Sequence, residues 1–143
     1  MKKFLAGFSL VLLSTTAGAA ELPGYGDVVE ALMHGRSVAL TMDLAQCVDN
    51  LGAKGPDRRA GLAIGSFMLP GSYLAFSDTH FTLSPIGSPA TEFMRYRLNN
   101  DGSLTLDVTV LGMPDYHPVR QMNYRCTIGA GARFWTADSP AKR

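Results

Sequence analysis

The stretch TEFMRYRLNNDGSLTLDVTVL, residues 91–111, decides the fold. Two runs of alternating apolar and polar residues flank NNDG at 99–102. Alternation with a period of two marks a strand with one buried face. An Asp-Gly pair between two such runs is a strong hairpin signal, because glycine supplies the positive φ that a tight reversal needs. The chain keeps the same habit on either side. Short β-forming runs occupy 61–69, 72–77, 80–85, 121–129 and 132–137, and Gly, Pro, Asn or Asp marks most of the breaks. These runs predict an antiparallel β-meander that can curl toward a barrel.

The part before residue 61 reads differently. Val28, Val29, Leu32 and Met33 recur with i, i+3, i+4 spacing, the mark of one helical face. Asp27 sits in the first turn, where a negative charge suits the helix dipole, and Gly35 is placed to end the helix. The spacing predicts a helix over 25–34. Residues 37–44 alternate as a half-buried strand, and 48–60, VDNLGAKGPDRRA, read as an exposed loop. The fold class expected is therefore α+β: one N-terminal helix packed on an antiparallel meander, covering one face of it.

The start of the chain, MKKFLAGFSLVLLSTTAGAA, has the three parts of a secretory signal. Lys2 and Lys3 form a positive end, 4–13 an apolar core, and Ala17, Gly18, Ala19 and Ala20 the small residues that a signal peptidase accepts. The apolar core falls short of the ~20 residues needed to span a bilayer. This predicts a signal peptide over 1–20, a single domain over 21–143, and a periplasmic or secreted protein with no stable membrane insertion after signal removal. Losing Lys2 and Lys3 takes Lys plus Arg from 13 to 11 against 12 acids, a net charge of −1. No basic run remains, so neither nucleic acid nor an anionic membrane surface is a favoured partner.

Cys47 and Cys126 both lie beyond the signal segment, and an exported chain meets oxidising conditions. The simple reading is one disulfide closing a loop of about 80 residues, worth on the order of 4 kcal/mol in the chain-entropy model. The alternative is a reactive or metal-binding thiol pair, but no CxxC occurs and neither Cys is near a His in sequence.

YLAFSDTHFTL, residues 73–83, holds the first candidate chemistry. Ser77, Asp78 and Thr79 are good turn residues, and a turn there would make 73–76 and 80–83 neighbouring strands. On one continuous strand, Asp78 and His80 would instead share a face. A carboxylate can then orient an imidazole and leave its second nitrogen free as a base or ligand. Asp115 and His117 repeat the spacing in MPDYHP, and Asp43 is a further possible ligand. A small metal-dependent or acid–base hydrolase would need such pairs to converge.

The remaining residues offer less. His34 sits at a helix end and serves structure. GxSxG, P-loop and dinucleotide glycine patterns do not occur, and no cofactor is implied. GAGARFW, 129–135, could cradle an anion or simply turn the chain before a last strand. Arg95, Arg97, Arg125 and Arg133 interleave with Phe93, Tyr96, Tyr124, Phe134 and Trp135, as on a recognition surface or an ordinary solvated sheet face.

LPGYGDVVEALMHG, DLAQC, FSDTHFTL, EFMRYRLNNDGSLTLDV and YRCTIGAGARFW occur in that order, and with the signal segment they resemble the VirK family of small exported bacterial proteins. The resemblance runs from Leu22 to Trp135. It implies a single exported domain, the Cys47–Cys126 pairing, and an association with virulence. It carries over no catalytic residue and no cofactor. The function expected is that of an exported, non-enzymatic binding or accessory protein of the bacterial envelope, with a protein or an envelope or host ligand as partner. The hydrolase using Asp78 and His80 is the alternative.

Overall fold

The NNDG turn closes as its residues require. Asp101 accepts hydrogen bonds from the Ser103 N–H (2.9 Å) and Ser103 Oγ (2.6 Å), and Gly102 takes a φ of +81°. The computed structural model describes residues 18–84 and 86–137. In chain order the elements are β1 (Ala19–Leu22), α1 (Tyr25–Met33), β2 (Val38–Asp43), β3 (Val48–Asp49), β4 (Arg59–Ala63), β5 (Phe67–Met68), β6 (Tyr73–Leu83), β7 (Pro89–Asn99), β8 (Ser103–Gly112), β9 (His117–Ile128) and β10 (Gly131–Ala137).

One sheet takes in every strand, in the order β4-β2-β10-β9-β8-β7-β6-β5. From β5 to β9 it is an antiparallel meander. At β10 the pattern changes. The chain makes a tight turn in which Thr127 and Ala130 exchange backbone hydrogen bonds, and β10 then runs on instead of folding back. One edge of β10 pairs with β9 through Gly131 and Ala132, then with β1 from Phe134 to Ala137. Its other edge pairs with β2, which pairs in turn with β4.

The meander and the β4-β2-β10 end curl around one apolar core, giving a half-barrel. Leu74, Leu98, Leu104 and Cys126 form one buried row across β6–β9, and Phe76, Tyr96, Leu106 and Tyr124 form the next. Val38, Leu40, Met42 and Phe134 face them from β2 and β10. The expected α+β class is thereby corrected: the protein is mostly β. Helix α1 has nine residues and fully buries only Val28, Ala31 and Leu32. That is too little to form a layer, and the sheet supplies the opposite wall of the core itself.

Three local expectations also change. The runs 72–77 and 80–85 are not two strands around a turn; residues 73–83 are one strand, paired with β7 at all eleven positions. The ladder satisfies the backbone of Ser77, Asp78 and Thr79, so their turn preference is overridden. The loop 48–60 begins with β3 and ends in β4. Most of the expected signal segment, 1–17, lies outside the described residues, while Ala19 and Ala20 open β1 opposite Ala137 and Thr136.

Candidate functional site

Strands β6 to β9 outrun the core they help to enclose. Along β6, Leu74 and Phe76 are buried and every residue from Ser77 to Phe81 is exposed. Beyond that row the four strands continue as an arm whose outer strands, β6 and β9, are largely exposed on both faces, while the inner strands keep Ala90 and Val108 buried. Apolar groups stand open there: Phe81 is 64% exposed, Leu83 62% and Ile86 88%, with Phe93, Tyr116 and Val119 nearby in the hairpins. Scattered exposed apolar residues need no explanation, but a cluster marks a contact surface. The sequence held a signal for it. The buried apolar residues of β6 are even-numbered, while Phe81 and Leu83 are odd-numbered and fall on the other face.

Asp78 and His80 lie at the root of this arm, on the face that carries the core further back. Asp78 stands opposite Met94 and accepts a hydrogen bond from the Thr79 N–H at 2.9 Å. His80 stands opposite Glu92, its Nδ1 3.9 Å from Oε2. The Asp78 charge is felt one row back. Burial, and secondarily that carboxylate, push the Tyr96 phenol up to about 12.

Asp115 and His117 form a closer pair. His117 Nδ1 and Asp115 Oδ1 are 2.6 Å apart, and both side chains are exposed. The imidazole holds the Asp115 carboxyl below its ordinary value of 3.8. The ring lies over Gly112, where an added Cβ would come 2.5 Å from Cε1. This pair does not meet the first. Strands β7 and β8 separate His80 on β6 from His117 on β9, which puts the backbones on the order of 14 Å apart along the sheet. Asp43 belongs to β2 and caps the turn leading to Cys47, accepting from the Ala45 N–H and Gln46 Nε2. Among the described residues, no three His, Cys, Asp or Glu side chains are grouped as a metal site would need.

The other candidates resolve into structure. Cys47 and Cys126 are joined, with Cα atoms 4.5 Å apart. The bond adds one rung to the ladder in which Val48 faces Arg125 and Asp49 faces Tyr124. Residues 127–131 of GAGARFW and its approach are the tight turn already described, with Gly131 against the disulfide. The His34 ring nitrogen Nδ1 meets the Glu30 carbonyl at 2.8 Å. The arginines are engaged at the surface: Arg95 with Asp107 at 3.5 Å, Arg97 over the Tyr73 ring at 3.9 Å, and Arg133 with Glu21 at 3.8 Å. Two shallow grooves occur. One of about 440 Å³ lies beside Lys54, Arg95, Asp107 and Arg120, and one of about 630 Å³ beside Asp43, Arg59 and Arg133. Both carry mixed charge.

The sequence matches the family model described as VirK protein over residues 21–116. An uncharacterized protein y4wH of Sinorhizobium fredii (strain NBRC 101917 / NGR234) is 31% identical, over 96% of this chain and 99% of that one. An uncharacterized protein in the pinF2 3′ region of Rhizobium radiobacter is 30% identical, over 87% of this chain and 90% of its own. Among solved structures, the crystal structure of lpg1832, a VirK family protein from Legionella pneumophila, has the same fold. The TM-score is 0.72 at 24% identity, covering 80% of this chain and 97% of that one.

Proposed function

The chain belongs to the VirK family, and from that premise we propose that it is an exported, virulence-associated binding or accessory protein of the bacterial envelope, acting by contact instead of catalysis. The observation that carries this reading is the arm. Its exposed Phe81, Leu83 and Phe93 are gathered together, whereas the titratable pairs Asp78/His80 and Asp115/His117 are kept apart. Export is supported by the three-part pattern of 1–20, by a family match that starts at residue 21, and by a disulfide, which persists in oxidising compartments.

The test is made in the bacterium. Mass spectrometry of the protein from periplasm and medium should find a mature N-terminus near Glu21 and no free thiol. A photo-crosslinking residue at Phe93 should give discrete adducts, and one at Arg125, away from the arm, should not. A cytoplasmic protein with its first 20 residues intact would overturn export. Adducts equally frequent from both positions would overturn the contact reading, and turnover abolished by His117→Ala would overturn the non-enzymatic one.

A further inference from the structure

The arm ends on one side in a strand edge that nothing covers among the described residues. Strand β5 pairs with β6 only at Ala75 and Phe76. From Ser77 to Leu83, seven residues of β6 bond β7 on one side and have no strand on the other. Unpaired edges are templates for another strand, and proteins usually blunt them with proline, bulges or lysine. The opposite edge of the arm, on β9, has Pro118, a register shift near Val110/Leu111 and Arg120. The β6 edge has no proline and no bulge, and its charged side chain is Asp78, with His80 beside it. Its register with β7 is unbroken, and its outer part carries Phe81 and Leu83.

The geometry points to a second copy of this chain as the occupant, joined β6 to β6 in antiparallel fashion about a two-fold axis. This rests on reading the arm as a contact surface and names its partner. The edge is complementary to itself. The free edge is centred on His80, so a two-fold there pairs Ser77 with the partner's Leu83, Asp78 with the partner's Thr82, and Thr79 with the partner's Phe81. All seven free residues are used, and the register stops where β5 begins. Shifting the axis to Thr79 would drive Thr82 and Leu83 into the partner's β5.

Each face of the joint is chemically matched. On one face His80 meets the partner's His80, and each Asp78 lies on the diagonal from an opposing imidazole, within side-chain reach. Two carboxylates thus flank two imidazoles, and each can accept a hydrogen bond from a ring N–H. On the other face Phe81 and the partner's Phe81 lie diagonally across the axis. Phe93, opposite Thr79 on β7, flanks them on both sides. Four phenylalanines that are exposed in the single chain cover one another, and two four-stranded arms become one continuous sheet. An isologous contact of this kind closes on itself and does not propagate.

Sedimentation velocity of the purified, disulfide-bonded protein over a rising concentration series tests the proposal. The parent should pass from monomer to dimer. Phe81→Lys should weaken dimerisation roughly tenfold or more while its melting temperature, taken at a concentration where the parent is monomeric, stays that of the parent. Register is read by cysteine trapping. His80→Cys should form a disulfide-linked dimer on mild oxidation with Cys47–Cys126 intact, and Arg95→Cys, one strand in on β7, should not. A parent that stays monomeric throughout, dimers indifferent to Phe81→Lys, or equal trapping at Arg95 would each overturn the proposal. A monomeric parent whose Phe93 adducts in the bacterium persist would sink the dimer alone; loss of both would sink the contact reading with it.

Discussion

The rings of Phe76 and Tyr96 lie parallel, 5° between planes and 4.9 Å between centroids. They face each other across β6 and β7 in a buried row near the arm, and Tyr96 is 4% exposed. Such stacks are offset, and they add to the burial that each ring already provides.

That placement sets the behaviour of the protein in base. The Tyr96 phenol is raised to about 12 from 10.0, by burial first and by Asp78 second. The unfolded chain therefore loses this proton before the folded one does. The stabilisation is fully present below pH 10 and disappears as pH rises toward 12, by up to roughly 3 kcal/mol. Phenolate absorbance should show a late step that belongs to Tyr96. Tyr96→Phe should remove that late step, and Asp78→Asn should move it only part of the way down.

Replacing Cys47 and Cys126 together by Ala should cost about 4 kcal/mol, read as the midpoint of urea denaturation. Gly131→Ala should also destabilise, by on the order of 1–3 kcal/mol. The residue has φ +94°, and its new Cβ would stand 2.8 Å from Cys47 Sγ. In the disulfide-free background the part of that cost due to Sγ should vanish, while the part from the backbone conformation and the Gln46 backbone remains, so the two changes should not add.

The core and the arm should respond very differently to the same substitution. Phe134 is wholly buried, and Phe134→Ala should cost about 3–5 kcal/mol. Phe81 is 64% exposed, and Phe81→Ala should change monomer stability by less than about 0.5 kcal/mol. Denaturation of both variants at low concentration checks this. A large loss from Phe81→Ala would mean that the arm is part of the core.

The Asp115 carboxyl should titrate below 3.8 in a carbon-detected NMR experiment, because His117 donates to it. Any stability it contributes is present above that ordinary value and is lost as pH falls through the lowered one. His117→Ala should return the carboxyl to its ordinary range. The melting temperature should hardly move, since the pair is exposed to solvent.

What the sequence could reveal followed locality. The NNDG turn and the helix over Tyr25–Met33 are written in neighbouring residues. The joining of 72–77 to 80–85 is not, because the pairing that stretches Ser77-Asp78-Thr79 comes from β7. Nor is β1: AAEL reads as the end of a signal segment, and only the ladder to β10 makes it a strand. The half-barrel depends on β10 meeting β2, residues nearly a hundred positions apart in the chain, and no local period records that. The failure of the two Asp–His pairs to converge is likewise a fact of strand order, invisible from their matched spacing.

Strand β10, the last of the described strands in chain order, sits between β2 on one edge and β9 and β1 on the other. The keystone of the sheet therefore follows in sequence the strands it joins. While a chain is still being made, β1, β2 and β4 lack the strand that would bind them to the meander, and a β-topology of such long sequence separations closes slowly in any case. The sheet cannot close around its core until β10 is in place between β2 and β9. A truncation that removed only β10 would leave β2 and β4 tied to the meander by β3 and the Cys47–Cys126 bond alone, not a slightly shorter domain.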